Sequence, residues 1–458
     1  MNLDWSNRMD SLRAQYHYAW MVVGMGTVLR VTANFVSQAF AVILVVLQQD
    51  FAWGVTTIIV AQVLRSVCNA LLSPVAGWVG DRYGARRTLL VAAILYVGGM
   101  LLLSTMDQLW QLYLYYSILL GLAQALFAVN IPTTVAAWFK RKLGLAVGIQ
   151  QSIGGMGASV TAPALAYLVS QTGWQVAFWI IPAVGGVIIF SLLAFFHSEP
   201  SDRGMRPYGA DENDPDPVPA DWATAKLRSK VFLQHARRTK AFWNLPFIHF
   251  LGCVGHSIVI WHVVFFATTQ GLSLAAAAWI VSIYTMTSVT SRLFIPILAD
   301  RWGAKTAMVV PYFLQGVSVL LLFWAQSPWQ FYLFAAIFGI GFGGEMSAFL
   351  IANRQYYGMG PVRSIFGFQH LGAGLGMGAG GLVGGLIYDF RLNEGAPVEL
   401  FGLFTLGGGS YDLAWVVSIV ASLAGVLFIA LLEPTSRVLI PDWEESLPRE
   451  AEASPAAT

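Results

Sequence analysis

At 458 residues, with 57% hydrophobic and only 11% charged side chains, the chain carries far less charge than an average soluble domain. That composition excludes a water-soluble globular protein with one core and makes a lipid bilayer the natural solvent. The net charge of +2 is uninformative as a total, because in a membrane protein the placement of Lys and Arg is what matters, and nucleic acid is not an expected partner.

In chain order, residues 1–18 hold two arginines but no short apolar stretch followed by a small-residue cleavage site, so a retained cytoplasmic N-terminus is expected. Apolar runs able to cross a core of roughly 30 Å follow near 19 to 46, 55 to 79, 88 to 105, 110 to 137, 143 to 169 and 175 to 196, an N-terminal half of six helices over 19–196. Arg30 lies in the first run, and Asn34 and Gln38 follow at spacings of four as one polar stripe. Arg65 sits in the outer third of the second, where a long side chain can snorkel to the headgroups. Asn130 and Pro132 in the fourth helix, with Gln150 and Gln151 in the fifth, suit either a cavity lining or interhelical hydrogen bonding. Residues 197–240 break the apolar pattern and read as a cytoplasmic loop between halves. There Leu227, Val231 and Phe232 stand among Lys226, Arg228, Lys230, Arg237 and Arg238, as in a helix on an anionic membrane surface or a solvated linker.

The C-terminal half, 241–432, repeats the plan with six further apolar helices. His249, His256 and His262 lie on the seventh; their offsets put the first two on one face and the third well round from it. No carboxylate is near them in sequence, so no metal is expected, and His262 is kept as a candidate solute contact. Arg292 in the eighth helix lies eight residues before Asp300, roughly 12 Å into the membrane from the cytoplasmic edge. Glu345 in the tenth is the one acid well inside a span on this reading. The glycine run Gly372 to Gly381 has nucleotide-loop-like spacing. Without a preceding strand or a following Lys-Ser/Thr, it reads instead as close helix packing. Cys68 and Cys253 fall inside spans, too few for a disulfide framework. The cytoplasmic tail, 433–458, is rich in Pro, Glu and Ala and is expected to be disordered.

Charge placement sets the topology. Arg82, Arg86 and Arg87 follow the second helix, Lys140, Arg141 and Lys142 the fourth, Arg301 and Lys305 the eighth, and Arg354 and Arg363 the tenth. Of the 26 Lys and Arg residues, only Arg391 falls in an outer loop and only Arg30, Arg65 and Arg292 lie within spans. By the positive-inside rule both termini are cytoplasmic, in a multi-pass protein of the cell (inner) membrane.

The stretch Asp81-Arg82-Tyr83-Gly84-Ala85-Arg86 recurs as Asp300-Arg301-Trp302-Gly303-Ala304-Lys305, each time after the second helix of a half and preceded by Pro74 or Pro296. The first copy, from Gly77 to Arg87, resembles the signature of the major facilitator superfamily. That resemblance implies an all-α membrane protein with twelve transmembrane helices in two six-helix halves. It also implies a conformational gate built from Gly77, Asp81, Arg82, Gly84 and Arg86 with Asp300, Arg301 and Gly303. Within the superfamily the chain resembles bacterial relatives of monocarboxylate carriers and oxalate/formate antiporters. The likeness is carried by Trp138 to Gly148, Gly173 to Phe178, Tyr357-Gly358, Tyr388-Asp389 and Gly408 to Tyr411. In such carriers an arginine at the place of Arg292 contacts the substrate carboxylate. The pattern departs at Ser288, where animal proton-coupled carriers have an aspartate, at Gln38, where or beside which they have a lysine, and in the eleventh helix, which lacks the lysine of oxalate exchangers.

The reading is a secondary active transporter, without cofactor and monomeric, that moves a small organic anion by alternating access with protons as the coupling ion. Arg292, Arg30, Asn34, Gln38, Asn130, Gln151 and His262 are the expected solute contacts, and Glu345 the expected proton site, with Arg292 as its alternating partner. Export of amphiphilic drugs and a non-transporting nutrient sensor are the alternatives. An enzyme is not expected, since no nucleophile, base and oxyanion donor recur together.

Overall fold

The computed structural model describes residues 17–38, 40–211, 214, 221–394, 398–400, 404–406 and 410–447. Without water in the hydrocarbon core, a crossing chain must satisfy its own backbone, and the apolar runs do so as helices. The N-terminal half consists of a first span (Tyr18–Gln38 and Phe40–Phe51), then Val55–Tyr83, Ala85–Ser104, Leu109–Ala137, Leu143–Thr172 and Trp174–Phe195. The C-terminal half consists of Lys240–Thr269, Leu274–Trp302, Ala304–Phe323, Pro328–Tyr357, Arg363–Glu394 and Asp412–Ala430. Ten of these are long and apolar enough to cross a membrane on length and composition alone. A short antiparallel hairpin, β1 (Val398–Leu400) and β2 (Phe404–Leu406), with Glu399 opposite Thr405, is an addition to the all-helical expectation.

The second span runs four residues beyond its expected end, so Asp81 and Arg82 belong to its last turn rather than to a loop. Single glycines with φ of +83° at Gly84 and +86° at Gly303 then reverse the chain in both halves. An L side chain is strained in that region, which is why the repeat keeps glycine there. The two halves meet mainly through the second span against the eleventh and the fifth against the eighth. Within the C-terminal half the glycine run works as close packing: a side chain on Gly372, Gly376 or Gly380, spaced by one turn, would collide with the backbone carbonyls of Pro246, Phe250 and Val254 on the seventh span.

The central loop and tail are more ordered than the sequence implies. The Tyr208 carbonyl accepts from the backbone N–H of Lys140 and of Arg141, while Lys140 Nζ contacts Asp211 at 3.0 Å and Asp214 at 2.6 Å. A linker helix, Trp222–Ala236, begins at Asp221, whose carboxylate caps it by accepting from the Thr224 N–H at 2.8 Å. Its apolar face is not turned to lipid: Phe232 is buried with its ring edge-on to Trp443 (centroids 5.0 Å apart) and Tyr357 (6.1 Å). The expected disorder of the tail is likewise corrected for residues 433–447. Ile440 and Trp443 are buried there, and the Leu439 N–H donates to the Tyr356 carbonyl. These apolar side chains find protein surface at the end of the bundle, which outweighs the local polar composition.

Candidate functional site

The paired acidic residues of the repeat act across the interface, each on the opposite half. Asp81 accepts from the backbone N–H of Arg363 (3.2 Å) and Ser364 (2.8 Å) and from the Ser364 hydroxyl (2.7 Å), at the N-terminus of the eleventh span. Asp300 accepts from the Gly144 N–H at 2.6 Å, at the N-terminus of the fifth. A carboxylate at a helix N-terminus satisfies orphan donors and complements the helix dipole. The basic members lock within their own halves: Arg86 donates to the Leu193 and Ala194 carbonyls, and Lys305 to Leu432. Arg82 stacks over Trp78, and Arg301 is exposed. A side chain on Gly77 would strike the Arg363 backbone, and one on Gly144 the Pro296 carbonyl. Arg354 donates to the Ala136 carbonyl across the same interface. The bundle is therefore closed at its basic end. Beyond that closure a cavity of about 320 Å3 is lined by Arg206, Arg228, Arg354 and Arg363 together with Asp81, Glu199 and Asp214; Arg30 and Arg292 do not line it.

Deeper in the membrane the structure brings Arg30 and Arg292 from opposite halves against the adjacent Gly154 and Gly155 of the fifth span. Arg30 Nη1 donates to Gln151 Oε1 at 2.6 Å, and Asn34 hangs on the same stripe, donating to the Arg30 carbonyl (2.8 Å) and accepting from Gln124 (2.7 Å). Gly154 and Gly155 leave the space that these two guanidinium side chains fill. Arg292 has no hydrogen-bond partner among the described residues, and its guanidinium lies 5.4 Å from the centre of the Phe342 ring. No carboxylate among the described residues pairs with either arginine.

Glu345 is fully buried and does not pair with Arg292 as expected. Its Oε2 lies 2.6 Å from His256 Nδ1, while Tyr312 Oη (3.3 Å) and Cys253 Sγ (3.8 Å) donate to Oε1. Gly252 makes room for that carboxylate, because a methyl group there would meet it. A short 3-10 turn, Met346–Ala348, follows directly and interrupts the tenth span. The fold thus supplies the carboxylate that the seventh-span histidines lack in sequence. His249, Cys253 and Glu345 have donor atoms within 4.8 Å of one another, and Glu345 is hydrogen-bonded through both of its oxygens.

Other expected contacts lie elsewhere. Asn130 is fully buried and donates to the Ala76 and Leu126 carbonyls, joining the fourth span to the second. His262 sits between Tyr411 Oη (3.1 Å) and the Gly381 carbonyl (2.9 Å). Arg65 leans on Gln62 and Tyr116. The side chain of Gln38 lies outside the described residues. The missed residues are Gln124, His256 and Phe342. For His256 a signal existed, since Cys253 falls between it and His249 on one helical face.

The family model that describes the Major Facilitator Superfamily matches residues 26–278 and 247–455. The MFS-type transporter hasB of Aspergillus fumigatus is 28% identical over 295 residues, 60% of this chain and 61% of that one, so the match spans less than two thirds of that relative. The uncharacterized MFS-type transporter YhjX of Escherichia coli is 22% identical over 68% of this chain and 74% of its own. Human monocarboxylate transporter 2 is 24% identical over 72% and 71%. Among solved structures, the proton:xylose symporter XylE superposes with a TM-score of 0.70 at 12% identity, covering 92% of this chain and 98% of that one.

Proposed function

The chain belongs to the major facilitator superfamily of transporters, and from that premise we propose that it carries a small organic anion, a carboxylate by preference, across the membrane by alternating access coupled to protons. One observation carries the reading: Arg30 and Arg292, contributed by opposite halves, converge with no carboxylate paired to either among the described residues. Two buried like charges cost free energy until an anion lies between them, and a planar guanidinium suits a carboxylate by two parallel hydrogen bonds. Gln151 and Asn34 complete the polar lining, and Glu345 is the acid that takes the coupling proton. The basic end is cytoplasmic on this reading, so the closed end described above corresponds to an outward-facing state.

Uptake of radiolabelled lactate, pyruvate and formate into proteoliposomes under an imposed pH gradient tests the reading. Arg292→Lys and Arg30→Gln should each reduce uptake at least about tenfold, the worth of one charge-assisted hydrogen bond. Full uptake by both variants would remove the anion site.

A further inference from the structure

We infer that His256 and Glu345 together form the proton-binding site, and that the Phe342 ring, standing between this pair and Arg292, links proton binding to anion binding. The transport reading above supplies the anion; the pair itself is argued from geometry. His256 and Glu345 share one short contact of 2.6 Å and are both buried. Held with one proton between them, the pair is neutral as a unit, and it changes charge only when a proton is added or removed. The groups that face it are His249 and Cys253 on the seventh span, Tyr312 on the ninth and, on the eleventh, Met377 against His256, with His370 near His249. The eighth span brings the uncharged Ser288 and Ser291, and the fixed charge of Arg292 beyond Phe342.

Phe342 is what the two sites have in common. The Arg292 guanidinium stands 5.4 Å from the centre of its ring, and the His256 ring lies edge-on at 5.0 Å. Those two legs cap the separation of the charges at roughly 10 Å, and at an effective dielectric constant of about 20 one unit charge at that range alters proton affinity about tenfold. The sign follows. With Arg292 unneutralised, a second proton on the pair is opposed; an anion on Arg292 removes that opposition, so anion binding favours proton uptake and, reciprocally, protonation favours the anion. An apolar ring between the two sites lowers the local dielectric relative to water, which gives the linkage its size.

The test uses purified full-length protein and two readouts. Infrared difference spectra recorded from about pH 5 to pH 9 should show a titrating buried carboxyl that vanishes in Glu345→Gln, shifts in His256→Gln and moves up by about one pH unit in Arg292→Gln, the tenfold change expressed as a shift. In proteoliposomes, Phe342→Ala should lose a larger share of the lactate accumulation driven by a pH gradient than of the exchange of labelled lactate at equal pH on both sides. The proposal is overturned by a carboxyl that does not titrate, by one unmoved in Arg292→Gln, or by Phe342→Ala accumulating lactate as the wild type does. If lactate, pyruvate and formate all go untransported by the wild type, the anion reading fails, and the infrared titration still decides whether the pair is a proton site.

Discussion

Among single residues, space rather than charge decides several positions. Gly252 lies against the Glu345 carboxylate, so Gly252→Ala forces the buried acid off His256 and Tyr312, whereas a methyl group on Gly98 in the third span meets nothing within 4 Å. Overpacking a buried site costs on the order of 1–3 kcal/mol, while Gly→Ala in an open helix position gains up to about 1 kcal/mol. Thermal unfolding should therefore separate them, with Gly252→Ala melting several degrees lower and Gly98→Ala unchanged or higher. Equal melting temperatures would show that the carboxylate is not held where the structure places it. Asn130 gives a second contrast. Its amide ties the fourth span to the second through backbone carbonyls, so Asn130→Ala is expected to lower stability by about 1–3 kcal/mol while the substrate concentration for half-maximal uptake stays fixed. A change in that concentration would return Asn130 to the solute site.

For helices, the two halves repeat one device: the acid at the end of a second helix caps the first turn of a helix in the other half. Asp81 acts on the eleventh span and Asp300 on the fifth. Each cap is worth about 1–2 kcal/mol, and because the two share no partner their losses should add. With Cys68 and Cys253 replaced and a cysteine placed at Ala137, on the wall of the basic-end cavity, Asp81→Asn and Asp300→Asn should each speed maleimide labelling about fivefold or more, and the double variant by the product. Unchanged rates in both single variants would show that the caps do not hold this end closed. The repeat that carries this device was legible in advance, because six residues recur after the second helix of each half, but the helix that each acid caps was not. The spans were legible too, since length and hydropathy suffice in a bilayer. The partner of Glu345 was not, for His256 lies 89 positions away, and the face it shares with His249 and Cys253 does not say which residue of another helix meets it.

At the scale of the molecule, the basic end is closed by more than the gate. The linker helix packs on the second span and on the tail, and the tail is tied to the tenth span where Leu439 N–H donates to the Tyr356 carbonyl and Tyr356 Oη to that of Glu433. The fastening is mostly apolar. The Arg228–Glu444 ion pair is half-exposed and contributes at most about 1 kcal/mol, whereas burying Trp443 against Phe232 is worth about 2–3 kcal/mol. Arg228→Ala should accordingly leave the tail resistant to protease, and Trp443→Ala should release it. A tail that bridges linker and C-terminal half opposes the separation that opens the basic end. Deleting residues 433–458 should therefore raise labelling at the Ala137→Cys position in otherwise native Asp81 and Asp300 protein, and do so without altering the concentration dependence of uptake from the opposite side. If labelling stays at its original rate after the deletion, the tail merely covers the bundle and the two caps alone keep it shut.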